Sequence, residues 1–229
     1  MRGGIANVPR HRIELFAQGA RPEGGPGIGD LQRVGGEDSL TRGVLGCGSS
    51  DVDDGHSLSL GPVHGPLPHP SEGPLVAYMN HPGWWDGYMA FLLDRLVLRE
   101  RFASYIMMEE KQLRAYRFFT QCGAFSVDRR PGEAERSVAY ISRLLRERRD
   151  RVLWILPQGR IAPNDRRPLH VFPGAARVAL RSGGAALWPV ALRYEFRGEQ
   201  RPEAFIRAGP THRPQPGASE ASLNHETVS

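Results

Sequence analysis

The run Val152-Leu153-Trp154-Ile155-Leu156, closed by Pro157, is apolar at every position. A strand with no polar face has to be covered on both sides, as an inner strand of a parallel sheet layered with helices is. Residues 75–79 (LVAYM) and 185–194 (AALWPVALRY, locally restricted by Pro189) have the same strand-like character. The segments between them carry helical spacing. Residues 88–98 place Met89, Leu92, Leu93, Leu96 and Val97 on one stripe, and residues 133–149 place Val138, Ile141, Leu144 and Leu145 on another, with Arg crowding the outer face. Further strands are predicted at 102–108, 124–127 and 203–208, and further helices at 110–119 and 174–180. Strand and helix alternate throughout, so the expected fold class is α/β, a mostly parallel sheet flanked by helices.

This pattern starts only near residue 61. Residues 1–70 hold fifteen of the 27 glycines and seven of the 19 prolines, and show no sustained periodicity. The expected organisation is therefore a disordered Gly-rich leader at 1–60, one folded domain at 61–212 and a flexible tail at 213–229. The whole chain of 229 residues is long enough for one domain with a substantial core.

Charge divides at the same place. Residues 1–70 have a net charge of −2 and residues 71–229 one of +7. A basic folded part suits nucleic acid, an anionic membrane surface or a phosphorylated substrate. The Arg-rich face of residues 133–149 reads as a solvated helix face, and no nucleic-acid module accompanies it, so nucleic acid is not an expected partner. Cys47 and Cys122 make neither a disulfide scaffold nor a metal site, and a reduced, cytoplasmic setting is the default. The first eighteen residues lack the apolar core of a signal peptide, and no apolar run reaches the ~18–20 residues of a membrane span. Any meeting with a membrane is expected from one side.

The stretch Asn80-His81-Pro82-Gly83-Trp84-Trp85-Asp86-Gly87 lies between the strand 75–79 and the helix 88–98. On a regular helix, His81 and Asp86 would point about 140° apart at ~100° per residue. Pro82 and Gly83 break that regularity, so a turn can fold the carboxylate back onto the imidazole. The carboxylate would then fix the tautomer and leave the far nitrogen to take a proton. Read alone, Asp86 equally suits a helix first turn, and Trp84 and Trp85 suit a core. In a parallel sheet ligands bind beyond the carboxyl ends of the strands. The loops at His81–Asp86, Asp128–Arg130 and Gln158–Arg160 would converge there.

Four blocks in order resemble the lysophospholipid acyltransferases, the PlsC-like superfamily that includes 1-acyl-glycerol-3-phosphate acyltransferases. They are NHPGWWD with its H-x4-D spacing; Gly123 to Arg129, similar to G-x4-D-R; Pro157-Gln158-Gly159-Arg160, similar to the P-E-G-T-R region; and Trp188-Pro189-Val190-Ala191, similar to the apolar V-P-V-A block. Together they cover roughly residues 63–210.

The resemblance implies acyl transfer from acyl-CoA or acyl-carrier protein to a hydroxyl of a lysophospholipid, with no cofactor. His81 would be the general base and Asp86 would orient it. Gly123, Arg129, Gln158, Gly159 and Arg160 would bind substrate, and Arg129 would hold a phosphate by a forked contact. A salt bridge of Arg129 with Asp128 or another carboxylate is the structural alternative. Backbone N–H groups near Gly83 to Trp85 would receive the oxyanion. The implied setting is peripheral, at the inner face of the membrane.

Two departures from the family pattern stand out. Gln158 replaces the usual Glu, keeping hydrogen-bonding shape without charge. Arg160-Ile161 replaces the usual Thr-Arg, so Arg160, or Arg166 and Arg167, would have to serve. A degenerate, non-catalytic homologue that binds lipid at a membrane surface is the competing expectation.

Overall fold

The computed structural model describes residues 11–14, 57–121, 123–127, 130, 132–198, 202–215 and 217–226. They fall into two compact units. The larger takes in described residues of Pro62–Arg193 and Ile206–Ser229, the smaller those of Pro9–Gly61 and Tyr194–Phe205.

Strands β2 (Ser57–His64), β3 (Leu75–Met79), β4 (Ala103–Glu109), β5 (Ala124–Val127), β6 (Arg151–Ile155), β7 (Ala186–Glu195) and β8 (Glu203–Ala208) follow the order β2-β8-β7-β3-β6-β4-β5. The pairings β7–β3, β3–β6, β6–β4 and β4–β5 are all parallel. Leu75 of β3 stands opposite Val152 on one side and Ala186 on the other. The three most apolar runs of the sequence are thus neighbours at the middle of the sheet, and every residue of β3 is buried. In the smaller unit β1 (His11–Glu14) pairs antiparallel with β2, His11 opposite Leu60.

Both faces are covered, as an apolar inner strand requires. On one face Val76, Tyr78, Leu153, Ile155 and Leu187 pack against Val138, Ile141 and Leu145 of α4 (Glu133–Glu147) and Ala175, Ala176, Val178 and Ala179 of α5 (Gly174–Arg181). Strand alternation sends Trp154 and Trp188 to the other face. Their rings meet edge-on with centroids 5.7 Å apart, and both are fully buried. That face is covered by α1 (Asp86–Leu92) and the π-helical turn Leu93–Val97, which bury Met89, Leu92, Leu93 and Val97.

The α/β class, the parallel sheet and the stripe of α4 match expectation, and several element limits differ. The helix expected at 88–98 starts at Asp86, loosens into the π turn after Leu92, and is stopped by Arg99 and Glu100 at φ +54° and +53°. The helix expected at 110–119 is two pieces, α2 (Glu110–Ala115) and α3 (Phe118–Gln121). Tyr116 leaves helical backbone angles between them, and its ring lies 6.2 Å from that of Trp84.

The segment 213–229, expected as a flexible tail, instead carries α6 (Glu220–Glu226). Leu223 is buried in the core, and Glu220 takes a forked ion pair from Arg177 at 3.0 and 2.5 Å, which holds its carboxyl below the usual range. Leu223 with only Ala221 beside it among polar residues is too little periodicity to announce a helix. Of the leader expected at 1–60, residues 11–14 and 57–60 are strand, and the rest lies outside the described residues. Among the described residues no helix is long and apolar enough to cross a membrane.

Candidate active site

Parallel pairing points the carboxyl ends of β3, β4, β5, β6 and β7 to one edge. His81 follows β3 by two residues. Pro82 and Gly83 turn the chain, and α1 starts on Asp86, which is wholly buried. The imidazole Nδ1–H donates to Asp86 Oδ2 at 2.6 Å, and the Gly83 N–H donates to the same oxygen at 2.9 Å. The His81 side chain retains 21% of its exposure. With Nδ1 committed to the carboxylate, Nε2 is the nitrogen left to accept a proton. The expected dyad is therefore formed in the resting protein.

The backbone of His81 is held on both sides by the loop after β6. Its N–H donates to Gln158 Oε1 at 2.6 Å, and its carbonyl accepts from Ala162 N–H at 2.9 Å. Gln158 is buried. Gly159 turns the loop at φ +62°, and its N–H donates to Leu156 O at 3.0 Å. Asn80 fastens the same turn to β7. Its Nδ2 donates to Leu192 O at 2.8 Å and to Asn164 Oδ1 at 2.9 Å, while its Oδ1 accepts from Leu192 N–H at 2.7 Å. Asn80, Ala162 and Asn164 were not singled out from the sequence. Asn80 lies inside the His81 block, but its partners are distant in sequence and follow from β7 lying beside β3.

The other expected site residues are distributed as follows. His81, Asp86, Gln158 and Gly159 come together. Arg160 is exposed, on a shallow depression shared with Gln158, Arg166, Pro168 and His170. Arg129, with Asp128, lies outside the described residues. Gly123 stands at φ +80°, where a Cβ would sit 2.3 Å from the Ser104 carbonyl oxygen on β4. Of the expected oxyanion donors, the Gly83 N–H is engaged by Asp86, which leaves those of Trp84 and Trp85. No group of His, Cys, Asp or Glu suited to a metal ion occurs among the described residues.

Gly123 also lines a cavity of about 350 Å³ on the α1 face, with Ala90, Phe91, Asp94, Ser104, Ile106 and Trp154. Burial pushes the Asp94 carboxyl up to about 6, against the smaller opposing effects of the Ser104 hydroxyl and Arg95. Among the described residues its Oδ1 meets no hydrogen-bond donor. The folded state thus binds this proton more tightly than the unfolded chain, whose value is 3.8. The associated stability is present below about pH 4 and is lost as pH rises to about 6. Asp94→Asn is expected to match wild type near pH 4 and to exceed it by roughly 2–3 kcal/mol at pH 7.5. Urea unfolding at four pH values between 4 and 7.5 checks this; a gap that does not widen with pH would refute it.

The strand-end edge of this α/β sheet thus holds a buried carboxylate against a half-buried imidazole. The Acyltransferase family pattern matches residues 62–193, more than half of the chain, so the chain belongs to that family. No curated protein matches it. Among solved structures the chain is similar to the 1-acyl-sn-glycerophosphate (LPA) acyltransferase, PlsC, from Thermotoga maritima, with 14% sequence identity, a TM-score of 0.48, and coverage of 72% of this chain and 67% of that one.

Proposed function

We propose that the chain moves a fatty acyl group from acyl-CoA or acyl-carrier protein to the hydroxyl of a lysophospholipid resembling 1-acyl-glycerol-3-phosphate. The observation that carries this reading is the His81–Asp86 pair, 2.6 Å apart at the strand-end edge, in a chain of the Acyltransferase family.

His81 Nε2 takes the proton of the acceptor hydroxyl as its oxygen attacks the thioester carbonyl. Asp86 stabilises the imidazolium. The carbonyl oxygen becomes an oxyanion, toward which the N–H groups of Trp84 and Trp85 are the donors of this turn. Collapse of the tetrahedral intermediate breaks the carbon–sulfur bond, and the thiolate leaves with the proton from His81. No acyl-enzyme and no cofactor enters this route.

The basic balance of residues 71–229 and the lipid acceptor favour work as a peripheral protein at the cytoplasmic face of a membrane. The phosphate of the acceptor is assigned to Arg129, from its place in the block Gly123 to Arg129, with Arg160 and Arg166 as the further cations beside Gln158.

The test is thiol release from acyl-CoA, and from acyl-carrier protein, by the purified chain with a panel of lysolipids. Release that depends on a phosphorylated lysolipid supports the reading. Vesicle binding without release from either donor supports the non-catalytic alternative. Arg129→Lys is expected to raise KM for the acceptor about tenfold to a hundredfold, the worth of a lost charged hydrogen bond, and to leave KM for the donor nearly unchanged. If Arg129 is instead a structural bridge, the substitution lowers the melting temperature and affects both substrates alike.

A further inference from the structure

The loop after β6 was expected to meet substrate, yet its buried glutamine is turned toward the main chain of the His81 turn. Gln158 Oε1 accepts the His81 N–H at 2.6 Å, and four residues on Ala162 N–H holds the His81 carbonyl at 2.9 Å. The residue carrying the imidazole is thus fixed at both of its main-chain polar groups by this loop. Asn80 fixes the preceding residue to β7 through two bonds to Leu192. Asp86 sets the ring, and these contacts set the backbone from which the ring projects. A displacement there of a fraction of an ångström moves Nε2 relative to the acceptor hydroxyl, to which proton transfer is sensitive.

A carboxylate at position 158 would accept the same N–H. It would also place a negative charge several ångströms from the imidazole and favour the imidazolium. We propose that Gln158 is a positioning residue: its side-chain oxygen fixes the main chain of His81, and its neutrality spares the imidazole a second carboxylate beside Asp86. This rests on the acyl-transfer reading, in which His81 is the base. Among the described residues of the larger unit, the other charged or titratable groups on the segments meeting the turn are Tyr78 on β3, Asp86 and Tyr88 on α1, Arg160, Asp165, Arg166, Arg167 and His170 on the loop after β6, and Arg193 beyond Leu192 on β7. They are common to every variant compared, so a difference isolates position 158.

Two variants, Gln158→Ala and Gln158→Glu, test this in the full chain by steady-state kinetics over a range of pH. Gln158→Ala removes the acceptor and leaves the His81 N–H unpaired, so kcat is expected to fall about ten- to a hundredfold with the acceptor KM within about twofold of wild type. Gln158→Glu restores the acceptor, so kcat at its optimum is expected within about threefold of wild type. Its charge moves the acid limb of the pH–rate profile up by roughly half a unit to one unit, since a more basic imidazole is freed of its proton at higher pH.

A rise in acceptor KM with kcat unchanged in Gln158→Ala would instead make Gln158 a substrate contact and overturn the proposal. So would an unshifted pH profile in Gln158→Glu. Nuclear magnetic resonance of the resting protein gives a readout independent of turnover. The His81 amide is expected to shift upfield in Gln158→Ala, and the His81 imidazole to titrate higher in Gln158→Glu. With no transfer by wild type on any donor or acceptor, the proposed function fails, and those two signals still decide the role of Gln158. If Gln158→Ala does not fold, the Gln158→Glu titration decides alone.

Discussion

His81→Ala is expected to lower kcat for acyl transfer by a factor of about 10²–10⁴, the usual worth of a general base, and to leave the fold in place. The geometry separates the two consequences. The contacts from Gln158 and Ala162 are to the peptide groups of His81, which alanine retains. The ring makes its described hydrogen bond to Asp86, whose Oδ2 keeps the Gly83 N–H when the ring is gone. Stability is therefore expected to fall by about 1–3 kcal/mol, for a buried carboxylate losing one donor. Turnover by the variant beside wild type, with a circular-dichroism melt on each sample, checks both statements. A variant keeping more than about a tenth of wild-type kcat would remove His81 from the mechanism.

What could be read from the sequence follows the range of the interactions involved. The inner strands announced themselves because burial on both faces leaves no polar position, as in β3 and in residues 152–155 of β6. The stripe of α4 showed because Val138, Ile141 and Leu145 repeat at helical spacing within fifteen residues. The dyad was legible because its members lie five apart across Pro82 and Gly83, so the closing contact is local. Contacts between loops were not. Gln158 reaches His81 across 77 residues and Asn80 reaches Leu192 across 112, and both depend on β3 lying between β6 and β7. Local periodicity carries no information on strand order. The place of Gln158 in its block therefore suggests a substrate contact, and only the fold shows its side-chain oxygen accepting the His81 N–H. The Gly83 N–H is a second case. The sequence marks Gly83 as a turn residue, and only the folded turn shows its N–H spent on Asp86.

The consequences of Asp86→Asn are nearly as large, and they arise differently. Asp86 Oδ2 accepts two hydrogen bonds at the first turn of α1, from the imidazole at 2.6 Å and from Gly83 N–H at 2.9 Å, and the side chain has no exposure. A carboxylate only accepts, so it forces Nδ1 to carry the hydrogen and Nε2 to be the base. An asparagine amide offers either its oxygen or its NH₂ to the ring. With the oxygen toward the ring the tautomer survives, but the charge that stabilises imidazolium is lost. With NH₂ toward the ring Nδ1 becomes the acceptor, and Nε2 carries the hydrogen and ceases to be a base. Either outcome is expected to lower kcat by two orders of magnitude or more, with acceptor KM little changed, because what is lost is stabilisation of the charged transition state. The two are separated by pH. Losing the negative charge lowers the imidazole's basicity, so any residual activity is expected to reach its plateau at lower pH than wild type. A reversed tautomer leaves activity low at every pH. A variant that kept wild-type kcat and the wild-type acid limb would show that the buried carboxylate serves only to start α1, the role that its position in the first turn allows and its 2.6 Å contact with the ring argues against.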